Sequence, residues 1–132
     1  MDYRLLSVFP LFLWGIWGFI TKILTRNTAA ETIALWSTIA SIIPILIYTL
    51  LTGTMRWVKT APIAFLSGLA AGLATIFFYI AIKKGPASVV IPLTGMYIIL
   101  PSFLSYVILK EPLNLKHLIG LGFAILAILF LT

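Results

Sequence analysis

The chain has no cysteine, one histidine and three acidic residues among its 132, and each scarcity removes a class of chemistry. Without cysteine there is no disulfide framework, thiolate nucleophile, Cys-ligated zinc or iron–sulfur cluster within the chain. The single histidine, His117, has no acidic cluster beside it in sequence, so neither a metal site nor a cofactor is expected. Asp2, Glu31 and Glu111 are the whole acidic complement. No Ser-His-Asp, phosphate-loop or paired-carboxylate arrangement exists, and the sequence does not read as an enzyme. Charged residues make up 9% of the chain, where a soluble domain carries about a quarter. The net charge of +6 reflects few acids more than a basic field. Lysines and arginines stand singly or as the pair Lys83-Lys84 beside apolar runs, which excludes the basic stripe of a nucleic-acid groove.

What is present is apolar sequence: 62% of residues are hydrophobic and the mean hydropathy is +1.18. About 100 residues fall in five uncharged or nearly uncharged runs, and none has a charged face to meet water. The expected fold is all-α: a polytopic membrane protein with five transmembrane helices at about 5–24, 33–51, 61–82, 87–109 and 115–132, in one domain over 1–132. The first run spans one hydrocarbon thickness at ~1.5 Å per residue, too long for the apolar core of a cleaved signal peptide. Thr32 is placed to cap the second helix, with Glu31 beside its positive end. Pro44 lies within that helix, where it should produce a kink. Thr60-Ala61-Pro62 resembles a cap with proline in the first turn of the third, and Lys83-Lys84-Gly85-Pro86 closes it. Pro92, Gly95 and Pro101 put three breakers in the fourth run, predicting a discontinuous or strongly bent helix. Asn114 is the expected cap of the fifth. Its uncharged part is short, so spanning requires Lys116 and His117 to reach the headgroups. The location follows: an integral protein of a prokaryotic-type cell membrane.

Five crossings place the termini on opposite sides. One side then carries Arg4, Arg56, Lys59, Lys110 and Lys116, and the other Lys22, Arg26, Lys83 and Lys84. A difference of one cation is almost no positive-inside bias. Insertion in both orientations, with pairing of opposed copies, stands beside a single orientation with the N-terminus inside.

Candidate site residues come from groups that an apolar bilayer does not hold without reason. Trp14 and Trp17 stand one turn apart near the middle of the first run, where an indole N–H needs a partner. Tyr79 and Tyr97 add hydroxyls to the same expected cavity. Pro92, Thr94 and Gly95 surround the most irregular backbone, where freed carbonyls can meet substrate or water. These seven are the expected substrate lining, each against the alternative of ordinary packing. Lys22 either snorkels to the surface or turns inward toward an anionic group. Ala64, Gly68 and Gly72 form a small-residue stripe suited to helix packing, with Gly120 and Ala124 a weaker pair on the last helix. No acid lies inside the five runs, so an intramembrane carboxylate exchanging its proton for a cation is not expected.

Several segments taken together resemble one EamA-type repeat of the drug/metabolite transporter superfamily. They are Trp14-Gly15 through Lys22; Phe78-Tyr79-Ile80-Ala81-Ile82-Lys83-Lys84-Gly85-Pro86-Ala87-Ser88; Val90-Ile91-Pro92-Leu93-Thr94 with Tyr97; Leu109-Lys110-Glu111-Pro112-Leu113; and Ile119-Gly120-Leu121-Gly122. Two features depart from the pattern. Trp36-Ser37-Thr38 stands where many members have an arginine, and Lys110 replaces the glycine before the turn glutamate, a milder change. The resemblance implies a half-size transporter repeat, since full-length members usually fuse two five-helix repeats in inverted relation. A lone repeat would pair with itself, as an antiparallel homodimer, or with a second half-size subunit, and would move a small metabolite or amphiphile across the bilayer. A lipid-linked substrate flippase subunit and a non-transporting scaffold are the alternatives.

Overall fold

In a computed structural model of the protein, residues 2–112 and 114–131 are described. They form an all-α, membrane-spanning fold of four long apolar helical segments and a fifth, shorter helix. The elements are α1 (Tyr3–Leu24), α2 (Ala30–Leu51), α3 (Ala61–Lys84), α4 (Ala87–Gly95), a 3-10 turn (Met96–Ile98), α5 (Ile99–Ile108) and α6 (Leu115–Leu131). Contacts divide the chain into two compact units, 1–84 and 85–132.

In the first unit, Asp2 starts α1 by accepting the Arg4 N–H at 3.1 Å. The helix continues through Pro10, although that residue has no N–H to give to the preceding turn. Arg26, Asn27 and Thr28 return their N–H groups to Ile23 and Leu24, forming a tight exit. Helix α2 begins at Ala30, three residues before its expected start, and Ala29 serves as N-cap without a side-chain bond. Thr32 therefore lies inside the helix and does not cap it. Ile33 donates to the Ala29 carbonyl, so backbone bonding starts the helix where a side-chain cap was expected. Pro44 is accommodated within one continuous helix. The end of α2 is a Schellman turn: Gly53 has a φ of 64°, Thr54 N–H reaches the Thr49 carbonyl and Gly53 N–H the Leu50 carbonyl. Helix α3 starts at Ala61 as expected, with Ile63 and Ala64 donating to Thr60. It runs through Lys83 and Lys84, whose cations sit at its negative end.

The packed part of this unit is a junction at one end of the three helices. Thr21 and Thr25 near the end of α1, Ala30, Ile33 and Ala34 at the start of α2, and Phe78, Tyr79 and Ile82 near the end of α3 are buried. Beyond it the helices present large apolar side chains outward. Leu51, Phe65 and Phe77 are among many that are exposed, a surface matched to lipid and not to water.

In the second unit, the breakers of the fourth run divide it as expected. Helix α4 carries Pro92 and stops at Gly95, a 3-10 turn follows, and α5 resumes with Pro101 as its third residue. Pro101 has no N–H for the Tyr97 carbonyl and its ring crowds that carbonyl, which places the change of helix type within the turn that precedes it. After α5, Lys110 takes a φ of 55° and the Glu111 N–H donates to the Ser105 carbonyl at 3.3 Å. The lysine that replaces glycine in the resembled pattern thus occupies a backbone conformation that glycine adopts without penalty. Leu113 of that motif, and Thr132 at the expected helix end, lie outside the described residues. Asn114 caps α6 as expected, its Oδ1 accepting the His117 N–H at 3.0 Å. The helix has 17 residues, about 25 Å, slightly less than a hydrocarbon thickness.

Candidate functional site

Above the packed junction of the first unit, α1, α2 and α3 leave a groove of about 640 Å³. Trp14 and Trp17 line one side; Ser37, Thr38 and Ser41 line it from α2; Gly68, Ala71, Gly72 and Thr75 form the α3 wall. The indoles reach the groove because they are three residues apart on α1, on one face. Trp17 has the partner that its depth required. Its Nε1–H donates to Ser37 Oγ at 3.0 Å. The Trp17 ring stacks on Phe78 with centroids 5.0 Å apart, and meets Tyr79 edge-on at 6.0 Å. Trp17 is therefore a strut as well as a wall. Trp14 is 62% exposed and no hydrogen bond or ring contact holds it among the described residues.

The hydroxyls are differently committed. Ser41 donates to Thr38 O and Thr75 to Ala71 O, so each spends its proton on its own helix and keeps lone pairs for the groove. A second cavity, about 400 Å³, adjoins the first along the α2–α3 seam and shares Thr38, Gly72 and Thr75 with it. It extends to Glu31 and Tyr79. Taken together as a trough, the two adjoining cavities have linings that extend from Trp14 to Glu31. Glu31, expected outside the second run, is the second residue of α2 and supplies the trough's one carboxylate among the described lining residues.

Tyr79 is the most constrained of the expected site residues. It is 1% exposed, packed edge-on against Trp17 and Phe78, and its hydroxyl is buried with no hydrogen-bond partner among the described residues. A buried donor in that condition costs about 1–3 kcal/mol.

Lys22 turns inward. Its Nζ donates to the Ile82 carbonyl at 2.8 Å, one of the last carbonyls of α3, which have no partner along their own helix. The ammonium thereby tethers α1 to the negative end of α3.

Pro92, Thr94, Gly95 and Tyr97 stand together around the 3-10 turn of the second unit. Pro92 and Gly95 are half-buried, and Thr94 and Tyr97 exposed, Tyr97 at 59%. At Gly68, Gly72 and Gly120, no heavy atom among the described residues, apart from the glycine, its chain neighbours and the nearby backbone of its own helix, lies within 4 Å of the place a Cβ would occupy. The close backbone approach expected of the small-residue stripe is thus not made at these glycines within the chain, and Gly68 and Gly72 instead widen the trough. Ala64 is exposed and Ala124 half-buried.

Sequence reasoning did not single out Ser37 as the indole acceptor, nor Phe78 as the ring beneath it. Both lay within segments noted for other reasons. The readable signal was three hydroxyl residues, Ser37, Thr38 and Ser41, at helical spacing inside an apolar run.

The sequence profile of the EamA-like transporter family matches residues 4–132. An uncharacterized protein of Methanocaldococcus jannaschii is 32% identical over 74 residues, covering 56% of this chain and 54% of that protein; the chain thus matches about half the length of that relative. No solved structure matches.

Proposed function

Because the chain belongs to the EamA-like transporter family, we propose that it moves a small metabolite or amphiphile across the membrane as one half of a two-unit assembly. The observation that carries this reading is the trough of the first unit, a groove with indole walls, hydroxyl edges and a glycine-widened α3 face inside an otherwise lipid-matched surface. Transport requires no covalent step. Trp14 and Trp17 hold the substrate's apolar part, and Ser37, Thr38 and Tyr79 supply hydrogen bonds that replace its lost water. In the second unit Pro92, Thr94, Gly95 and Tyr97 form the bend about which one part of the bundle rocks to expose the substrate alternately to each side.

In this reading the five helical segments each cross the bilayer, α4 and α5 together making one. A five-helix unit ends on the side opposite its start, so a second copy inserted the other way supplies the inverted half. The nearly balanced cations, five against four, support dual insertion. Trp14, exposed at the groove's edge, also favours a second reading, a flippase subunit whose groove opens sideways to lipid.

The test is uptake by proteoliposomes against a metabolite panel. Saturable uptake that falls at least about tenfold in Trp14→Ala, with the variant still folded, supports transport. Movement of polyprenyl-linked lipid without uptake of any soluble compound selects the flippase, and inertness toward both selects a scaffold. Single cysteines at Met1 and Thr132, labelled from one side, test orientation. Partial labelling at both is expected, and uniform exposure of one terminus contradicts the antiparallel homodimer.

A further inference from the structure

A second cavity system lies in the other unit; none of the residues assigned to transport lines it, although Ile98 adjoins Tyr97, and its lining differs in kind. It occupies about 510 Å³ beside the turn between α5 and α6. At the turn it is lined by Glu111, Pro112 and His117, with Ser102, Ser105 and Tyr106 along α5. Ile98, Pro101, Gly120 and Leu121 line the remainder. Residues 98 to 108 rise about 15 Å along a helix, so the polar end is at the bilayer surface, where successive spans connect, and the apolar end lies within the hydrocarbon. The cavity is therefore amphiphilic along the membrane normal.

The charges at its surface end are mixed. Glu111 provides a carboxylate with no ion pair among the described residues. Its turn is closed by its backbone N–H on the Ser105 carbonyl, which leaves both side-chain oxygens to accept hydrogen bonds. Lys110, next to Glu111, and Lys116, next to His117 at the start of α6, are exposed; they lie outside the lining, on side chains long enough to reach a headgroup at its mouth. A carboxylate in the lining, which accepts from an ammonium, with lysines next in sequence to two lining residues, which donate to a phosphate, is the complement of a head that carries both groups.

We propose that this cavity is a binding site for an aminophospholipid of the phosphatidylethanolamine type. The primary ammonium donates to the Glu111 carboxylate, the phosphate lies against Lys110 and Lys116 with His117 and Tyr106 at its edge, and the first part of an acyl chain fills the wall of Ile98, Pro101 and Leu121. A choline head has no N–H to donate to Glu111, and a glycerol head has no cation, so the site discriminates by head chemistry.

The experiment titrates the full-length protein in detergent micelles with dioleoyl phosphatidylethanolamine, phosphatidylcholine, phosphatidylglycerol and soluble phosphoethanolamine, and reads the thermal unfolding midpoint. Ethanolamine lipid is expected to raise the midpoint at a concentration at least about tenfold lower than the other two lipids, the worth of one charge-assisted hydrogen bond. E111Q, which keeps the backbone bond that closes the turn, is expected to remove that preference. Equal action of choline and ethanolamine lipids overturns the proposal, as does an unchanged preference in E111Q. Soluble phosphoethanolamine acting as strongly as the lipid overturns it too, because the acyl wall would then contribute nothing. If E111Q fails to fold, the headgroup comparison on the unaltered chain decides alone.

Discussion

Tyr79→Phe removes one oxygen from the most buried aromatic ring of the first unit. The ring itself stays in contact with Trp17 and Phe78, so its packing is kept and the change isolates the hydroxyl. That hydroxyl has no hydrogen-bond partner among the described residues, and an unsatisfied buried donor carries a penalty of about 1–3 kcal/mol. Part of the gain from its removal is offset by the small void left behind. The net expectation is a stabilisation of about 1 kcal/mol, read as a rise of a few degrees in the thermal midpoint by tryptophan fluorescence in detergent. Uptake in proteoliposomes is expected to fall in the same variant, because the hydroxyl is assigned to the substrate. Stability and activity would then move in opposite directions, as they do where a site holds a group ready at a structural cost. A drop in midpoint by several degrees would refute the reasoning, since it would mean that the hydroxyl already has a partner whose loss is felt.

Three further predictions concern the contacts around this site and the turn beyond it. Lys22→Met keeps most of the side chain's length but withdraws the charged donor from the Ile82 carbonyl, and a loss of about 1.5–3 kcal/mol is expected in chemical or thermal unfolding; no loss would show that the tether is idle. Ser37→Ala leaves the Trp17 N–H without its acceptor and is expected to cost about 1–2 kcal/mol, an effect that should shrink in a Trp17→Phe background when the double-mutant cycle is measured. Lys110→Gly relieves the left-handed backbone at φ 55° and is expected to stabilise by up to about 1 kcal/mol, where Lys110→Val destabilises; equal midpoints for the two would contradict the backbone account.

The helices were legible because lipid simplifies the code: a run long enough to cross, without charge, has few other uses. The break in the fourth run was legible for a local reason, since Pro101 removes a donor and crowds a carbonyl wherever it stands. Asn114 and Thr60-Ala61-Pro62 were legible as helix starts on the same terms. Thr32 misled because a capping residue in sequence does not decide which residue begins the helix when Ala30 and Glu31 also favour it. The left-handed Lys110 was not legible, since only comparison with glycine in the resembled pattern marked the position. Within the site, the need of Trp17 for a partner could be stated from depth alone, but Ser37 could not be chosen among several hydroxyls without the α1–α2 packing. The inward turn of Lys22 was one of two open readings, and the α3 carbonyls that attract it are a property of helix ends meeting in space.

The central claim is that a solvent-accessible groove penetrates the membrane-embedded first unit between α1, α2 and α3. The cysteine-free sequence allows a direct test by a membrane-impermeant thiol reagent on sealed proteoliposomes containing either Ser41→Cys or Ile43→Cys. Both residues are exposed in the isolated chain, but Ser41 lines the groove and Ile43 lies about 160° away from it around α2. Labelling is expected at Ser41→Cys and protection by lipid at Ile43→Cys. Protection of both, or labelling of both at the same rate, would contradict the claim.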